Sequence, residues 1–161
     1  MCLTQLYCCV VIPKLVDLNG WWDVLPAGIH DATMEEIRQS FATNAVRVIM
    51  YDGFAHGAEA LAQAGCRTIY LNGSFVTGKP NPGDYDACWD PLGVDPSKLD
   101  PVLLDFSDSR KKQKAKFRGE FFPSSASADG HHTFVEFFQV DKYTGNPKGI
   151  LRITLSERNA S

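Results

Sequence analysis

The sequence predicts an α+β fold, a small mixed β-sheet flanked by helices. Three observations carry this prediction. The chain has 161 residues, the length of one domain. Apolar residues at helical spacing come first along the chain. Short β-branched and aromatic runs follow, separated by turn residues. Apolar residues make up 44% of the chain and charged residues 22%, as in an ordinary soluble globular protein. Collagen-like, disordered and disulfide-scaffold classes are excluded on the same ground. Sixteen Lys and Arg against nineteen Asp and Glu give a net charge of −3, so any nucleic-acid contact must use a local patch. No run approaches the roughly 18 apolar residues of a membrane span.

Residues 1–12 (MCLTQLYCCVVI) lack a basic leader and a small-residue cleavage site, unlike a secretory signal. A buried strand and an upstream extension both remain open for them. Residues 13–30, with two prolines and two glycines, read as an extended lead-in from which Trp21, Trp22 or Leu25 packs onto the body. Asp31 or Thr33 can cap a first helix, where Glu35 and Glu36 suit the first turn and Met34, Ile37 and Phe41 share a face. A second helix is predicted over 45–64 with Gly65 as its cap, although Gly53 and Gly57 oppose it.

Residues 66–71 (CRTIYL) and 84–89 (DYDACW) read as strands around a turn-rich segment, 72–83. Residues 90–101 are loop and 102–106 a short apolar run. Residues 107–118 (SDSRKKQKAKFR) suggest an exposed polar helix, and 123–131 a small-residue loop. Residues 133–140 (TFVEFFQV) form the clearest predicted strand, and 149–155 (GILRITL) another. The organisation is thus a lead-in over 1–30, a single domain over 31–155 and a frayed tail over 156–161. The five cysteines are Cys2, Cys8, Cys9, Cys66 and Cys88, an odd number without a CxxC pair. They fit reduced thiols in a cytoplasmic protein better than a zinc site.

Asp84 and Asp86 stand at i and i+2 on a predicted strand, so both carboxylates point to one side. Adjacent carboxylates repel unless a cation lies between them, and Mg²⁺ favours such oxygen ligands. A solvated strand boundary is the plain alternative. Gly73 and Ser74 follow an apolar strand, where glycine allows close ligand approach and a helix beginning at Ser74 would bind an anion. Glu136, on the predicted strand 133–140 and on the same side as Phe134 and Phe138, is expensive on an apolar face unless paired or metal-bound. It is the expected third ligand. Residues 73–79 (GSFVTGK) imitate a phosphate-binding P-loop, but Pro80 stands where that loop needs Ser or Thr.

The run Leu71–Asn72–Gly73–Ser74, with Asp84–Tyr85–Asp86 beginning ten residues after the serine, resembles the GS…DxD signature of the DNA polymerase β-like nucleotidyltransferases. The wider pattern is similar to a family of minimal bacterial nucleotidyltransferase-like proteins, some of which act as toxins or antitoxins. The resemblance implies a nucleotidyltransferase-like fold. It also implies a triphosphate held by Gly73 and Ser74, and two Mg²⁺ (or Mn²⁺) ions held by Asp84 and Asp86. Glu136 fits the role of third carboxylate. The expected reaction moves NMP from an NTP to RNA (tRNA included) or to a protein, with a cognate antitoxin as a further partner. No separate base- or acceptor-recognition domain is recognisable, which leaves the substrate open.

Residues 110–118 hold six basic side chains in nine. Lys111, Lys114 and Arg118 share a helix face suited to a triphosphate or an RNA backbone, while Lys112 and Lys116 form another row. His131 and His132 are adjacent and make a poor joint metal site. Cys88 follows the alternation of Asp84 and Asp86 but reads as a small buried residue. Lys148 could reach phosphate. A catalytically silent binding module and a metal-dependent nuclease are the rival readings.

Overall fold

The structure, a computed structural model, describes residues 11–156. Most of the 1–12 segment, Cys2, Cys8, Cys9 and nearly all of the predicted tail lie outside the described residues. The described chain runs β1 (Gly28–Asp31), α1 (Met34–Phe41), α2 (Ala45–Gln63), β2 (Thr68–Asn72), β3 (Asp86–Trp89), α3 (Lys111–Phe117), β4 (Glu120–Pro123), α4 (Phe134–Phe138) and β5 (Gly149–Thr154). One five-stranded sheet has the order β1-β5-β2-β3-β4. β1–β5 and β3–β4 are parallel, whereas β5–β2 and β2–β3 are antiparallel. The predicted α+β class with a small mixed sheet is therefore what the chain adopts.

Thr33 caps α1 in a reciprocal box. Its hydroxyl accepts from the Glu36 N–H at 3.1 Å, and Glu36 Oε2 accepts from the Thr33 N–H at 2.7 Å. Asn44 caps α2 through the Arg47 N–H. The two glycines inside α2 mark close packing. A Cβ at Gly53 would lie 2.1 Å from the Phe117 carbonyl oxygen, and one at Gly57 would lie 2.4 Å from the Phe121 ring. The helix survives two weak formers because they let α2 approach α3 and β4.

Alternation along the strands separates two faces. Ile69, Leu71, Ala87, Phe121, Leu151 and Ile153 join Ile37, Phe54 and Leu61 of α1 and α2 in the main core. The other face carries a small cluster of Cys88, Phe138 and Ile150, flanked by Tyr70, Phe122 and Phe134.

Several expectations are corrected. Residues 133–140 contain α4 rather than a strand. Thr133 and Glu136 form a second capping box, with the Thr133 N–H donating to Glu136 Oε2 at 2.8 Å. That local closure outweighs the β propensity of Phe and Val. The lead-in is not separate from the domain, because β1 crosses its expected end at residue 30 and Val16 bridges Val24. Residues 107–118 are not uniformly exposed, since Gln113 and Phe117 are buried one helical turn apart. Gln113 accepts from the Phe121 N–H at 2.8 Å and so ties α3 to β4. β4 itself is an element that the sequence reading missed.

Candidate functional site

β2 ends at Asn72, and the chain turns at Gly73 with φ +92. A Cβ there would sit 2.8 Å from the Asp86 nitrogen, so only glycine fits this left-handed, crowded position. The return segment is held from below by Arg47, a buried side chain within α2. Its guanidinium donates to the carbonyls of Phe75 at 2.7 Å and Thr77 at 2.8 Å, and also to those of Phe41 and Lys79. Burial lowers its pKa from the ordinary arginine value. No local pattern singled this residue out; its partners are up to 32 positions away.

Asp84 precedes β3 instead of lying within it, yet the same-side expectation holds. Tyr85 is fully buried between the two aspartates, packs edge-on against Phe54 and Phe121, and donates to the Phe117 carbonyl at 2.6 Å. With Tyr85 locked into the main core, Asp84 and Asp86 project from the opposite face.

Pairing then aligns Asn72, Asp86 and Glu120 across three neighbouring strands. Glu120, not Glu136, is the carboxylate beside Asp86 on the adjacent strand. Arg110 Nε at 3.1 Å and Lys114 Nζ at 2.8 Å flank its Oε1. Burial, and then the charges of Asp84 and Glu120, push the Asp86 carboxyl up to about 7. On the other side of Asn72, Lys148 donates to its side-chain oxygen. Burial pulls the Lys148 ammonium down to about 8, against the opposing influence of Asp141 and Asp86.

Asn72, Asp86 and Lys148 open, with Gly73, Ser74 and Asp84, into a cleft of about 490 Å³, whereas Glu120 lies outside it. Glu136 does line this cleft, but from α4, with its carboxylate engaged by Thr133. Trp22, Phe137 and Tyr143 add an aromatic wall, with exposures of 38%, 49% and 54%. His132, read from sequence as a loop residue, is in a loop but faces the cleft. Asp129 Oδ2 lies 2.8 Å from its Nδ1 and raises its pKa.

The expected anion cradle at Ser74 is altered. Ser74 begins a three-residue 3-10 turn, Ser74–Val76, too short to act as a helix terminus. Its N–H and Oγ donate to Asp84 Oδ1 at 3.1 and 2.8 Å, and the Phe75 N–H donates to the Asp84 carbonyl at 3.1 Å. Asp84 thus stands where a phosphate oxygen was expected.

Among the described residues, no three His, Cys, Asp or Glu side chains are arranged as a ready metal cage. The donors nevertheless suit a hard cation. Asp84, Asp86 and Glu120 are oxygen ligands, and burial followed by their mutual repulsion raises the Asp86 carboxyl; Mg²⁺ is commonly held by one or two carboxylates plus phosphate oxygens and water.

The basic residues divide. Lys112 pairs with Asp105 at 2.7 Å and Lys116 with Asp100 at 2.5 Å, so that row is neutralised. Lys114 and Arg118 line a second cavity of about 420 Å³, and Lys111 lies outside both cavities. Cys88 is buried, and burial drives its thiol well above the ordinary range, which leaves it unreactive.

Residues 18–154 match DUF6932, a family of unknown function, and the chain belongs to that family. No curated protein and no solved structure matches it. Among the described residues no helix is long and apolar enough to cross a membrane.

Proposed function

We propose that this protein is a metal-dependent nucleotidyltransferase, moving NMP from an NTP to an RNA or protein acceptor. A bacterial toxin–antitoxin or defence module is the setting that its sequence resemblance favours, in the cytoplasm and with a cognate antitoxin as partner. The observation that carries the reading is the cleft that gathers Asn72, Asp86, Asp84 and Ser74, with Glu120 beside Asp86 on the adjacent strand. It supplies carboxylates, a hydroxyl and lysine side chains where a triphosphate and its cation would meet.

When bound, Mg²⁺ or Mn²⁺ supplies charge that neutralises the triphosphate and the leaving pyrophosphate. Asp84, Asp86 and Glu120 are the residues that would hold it. Glu136 borders the same cleft and there orients the bound substrate. Release of Asp84 from Ser74 frees the Ser74 hydroxyl and N–H for phosphate oxygens, beside Gly73. Lys148 presents positive charge from the cleft floor. Trp22, Phe137 and Tyr143 offer flat apolar surface to a base.

A second reading rests on one specific observation. Asp84 already satisfies Ser74, as in a silent member of the same fold that binds a nucleotide without transfer. Incubation with each α-labelled NTP, Mg²⁺ and bacterial RNA or lysate separates the two. Label on RNA or protein with wild type but not with Asp84→Ala/Asp86→Ala supports transfer. Mg²⁺-dependent nucleotide binding without label supports the silent module.

A further inference from the structure

Nucleotidyl transfer brings two substrates to one set of carboxylates, and the structure has two cavities that meet at such a point. Gly83 and Asp84 line both the 490 Å³ cleft and the 420 Å³ groove, and no other residue does. The two linings differ in character. The cleft holds Ser74, Asp86 and Lys148, together with the aromatic wall. The groove runs between the start of α2 and the end of α3, where it is lined by Val46, Ile49, Lys114, Arg118 and Glu120.

Val46 and Ile49 are exposed by 44% and 56%, an apolar surface at the beginning of a helix whose other face is buried. Beside them stands a cation without an ion-pair partner among the described residues. Arg118 is exposed and carries no ion pair among the described residues. Lys114 is shared with Glu120. In a chain of net charge −3 this juxtaposition is local and specific to one rim. Exposed aliphatic side chains flanked by the free Arg118 and by Lys114 suit a single-stranded RNA end, with phosphates on the cations and a base over the apolar surface.

We infer that the groove between α2 and α3 receives the 3′ end of an RNA acceptor and delivers its hydroxyl to Asp84, opposite a nucleotide in the cleft. This inference rests on the transferase reading above. The hydroxyl oxygen bonds to the α-phosphorus of the NTP, and its proton passes to water. The P–O bond to the β-phosphate breaks, and pyrophosphate leaves through the cleft with that electron pair. Lys114 and Arg118 therefore belong to the acceptor rather than to the triphosphate.

The test measures two affinities on the full chain. Fluorescence anisotropy of a labelled single-stranded RNA with a free 3′ hydroxyl reads the groove. Binding of a fluorescent ATP analogue with Mg²⁺ reads the cleft. Arg118→Glu should weaken RNA binding about tenfold and flatten its log–log salt dependence by about 0.7. The nucleotide affinity should stay within twofold. Ile49→Ser, an exposed change with no charge, should weaken RNA alone and guards against a merely electrostatic effect.

RNA binding that is absent, or unchanged in both variants while the nucleotide still binds, overturns the groove assignment and leaves the transferase reading standing. Label transferred only to protein overturns the RNA assignment in the same way. RNA binding lost in the variants, but with no NTP bound by wild type, sinks the transferase reading and the acceptor role with it.

Discussion

One face of the sheet packs Ile69, Leu71, Phe121 and Leu151 against α1, α2 and Phe117 of α3, whereas the other sets Asn72 and Asp86 in a cleft bordered by one five-residue helix and loops. The change from one to the other takes a single step along the chain. Tyr85 is wholly buried and Asp86 beside it belongs to the cleft. Burial of the aromatic and aliphatic face stabilises the domain, at roughly 25 cal/mol per Å² of apolar area. The end of the opposite face around Asp86 runs against stability, because carboxylates are forced together there. The contrast teaches that the apolar face holds like charges in place that would otherwise move apart, which is the preorganisation a cation- and phosphate-binding site requires.

The largest expected effect tests the charged face. Asp86→Ala should lower transfer by ~10³-fold or more, since a metal-holding carboxylate is lost. Its urea midpoint should not fall, because removing Asp86 relieves repulsion. Retained transfer, or a lower midpoint, would break the distinction between the faces.

Phe54→Ala tests the other side. It removes a fully buried ring that stacks on Phe121 and should cost about 3–5 kcal/mol in urea unfolding. Phe137→Ala, on the exposed wall of the cleft, should stay within ~0.5 kcal/mol.

The pH dependence sharpens the same comparison. Asp86 has a folded-state pKa of about 7 against an ordinary 3.8, so the folded state retains a proton that the unfolded chain releases. Its contribution is fully present below about 4 and is lost as the pH rises through 7. Unfolding midpoints at pH 5 and pH 8 should show this loss, and Asp86→Asn should flatten it. Lys148, lowered to about 8 from 10.5, acts in the opposite direction and only above pH 8.

The smallest effect lies in the caps. Thr33→Ala should cost ~1 kcal/mol through α1, read as a shift in the midpoint. Thr133→Ala should cost a similar amount through α4, but it also removes one of the two bonds that hold the Glu136 carboxylate. Nucleotide affinity should therefore change for Thr133→Ala alone.

Much of the fold was legible because its signals are local. Thr33 with Glu36, the apolar spacing along α1 and α2, and the turn at Gly73 all act within a few residues. The error at 133–140 was also local. Phe and Val there suggested a strand, although Thr133 and Glu136 spelled out a helix start. For the site, the alternation Asp84–Tyr85–Asp86 was readable without tertiary information, because period-2 geometry places both carboxylates opposite a buried ring. Glu120 was not, since nothing within residues 119–123 announces a strand, and its place beside Asp86 comes from a parallel pairing 34 residues distant. Arg47 was likewise silent, because its carbonyl partners belong to another segment.

By itself, then, the sequence determined the α+β class, the two capped N-terminal helices and the same-side placement of Asp84 and Asp86. Backbone geometry over a few bonds decides those. Only the tertiary structure decided that Glu120 joins Asp86, that Lys148 reaches Asn72, that Asp84 rather than a ligand satisfies Ser74, and that two cavities share Asp84. Those depend on strand order and on burial between distant segments. Side-chain charges feel one another only after the apolar face has brought them together.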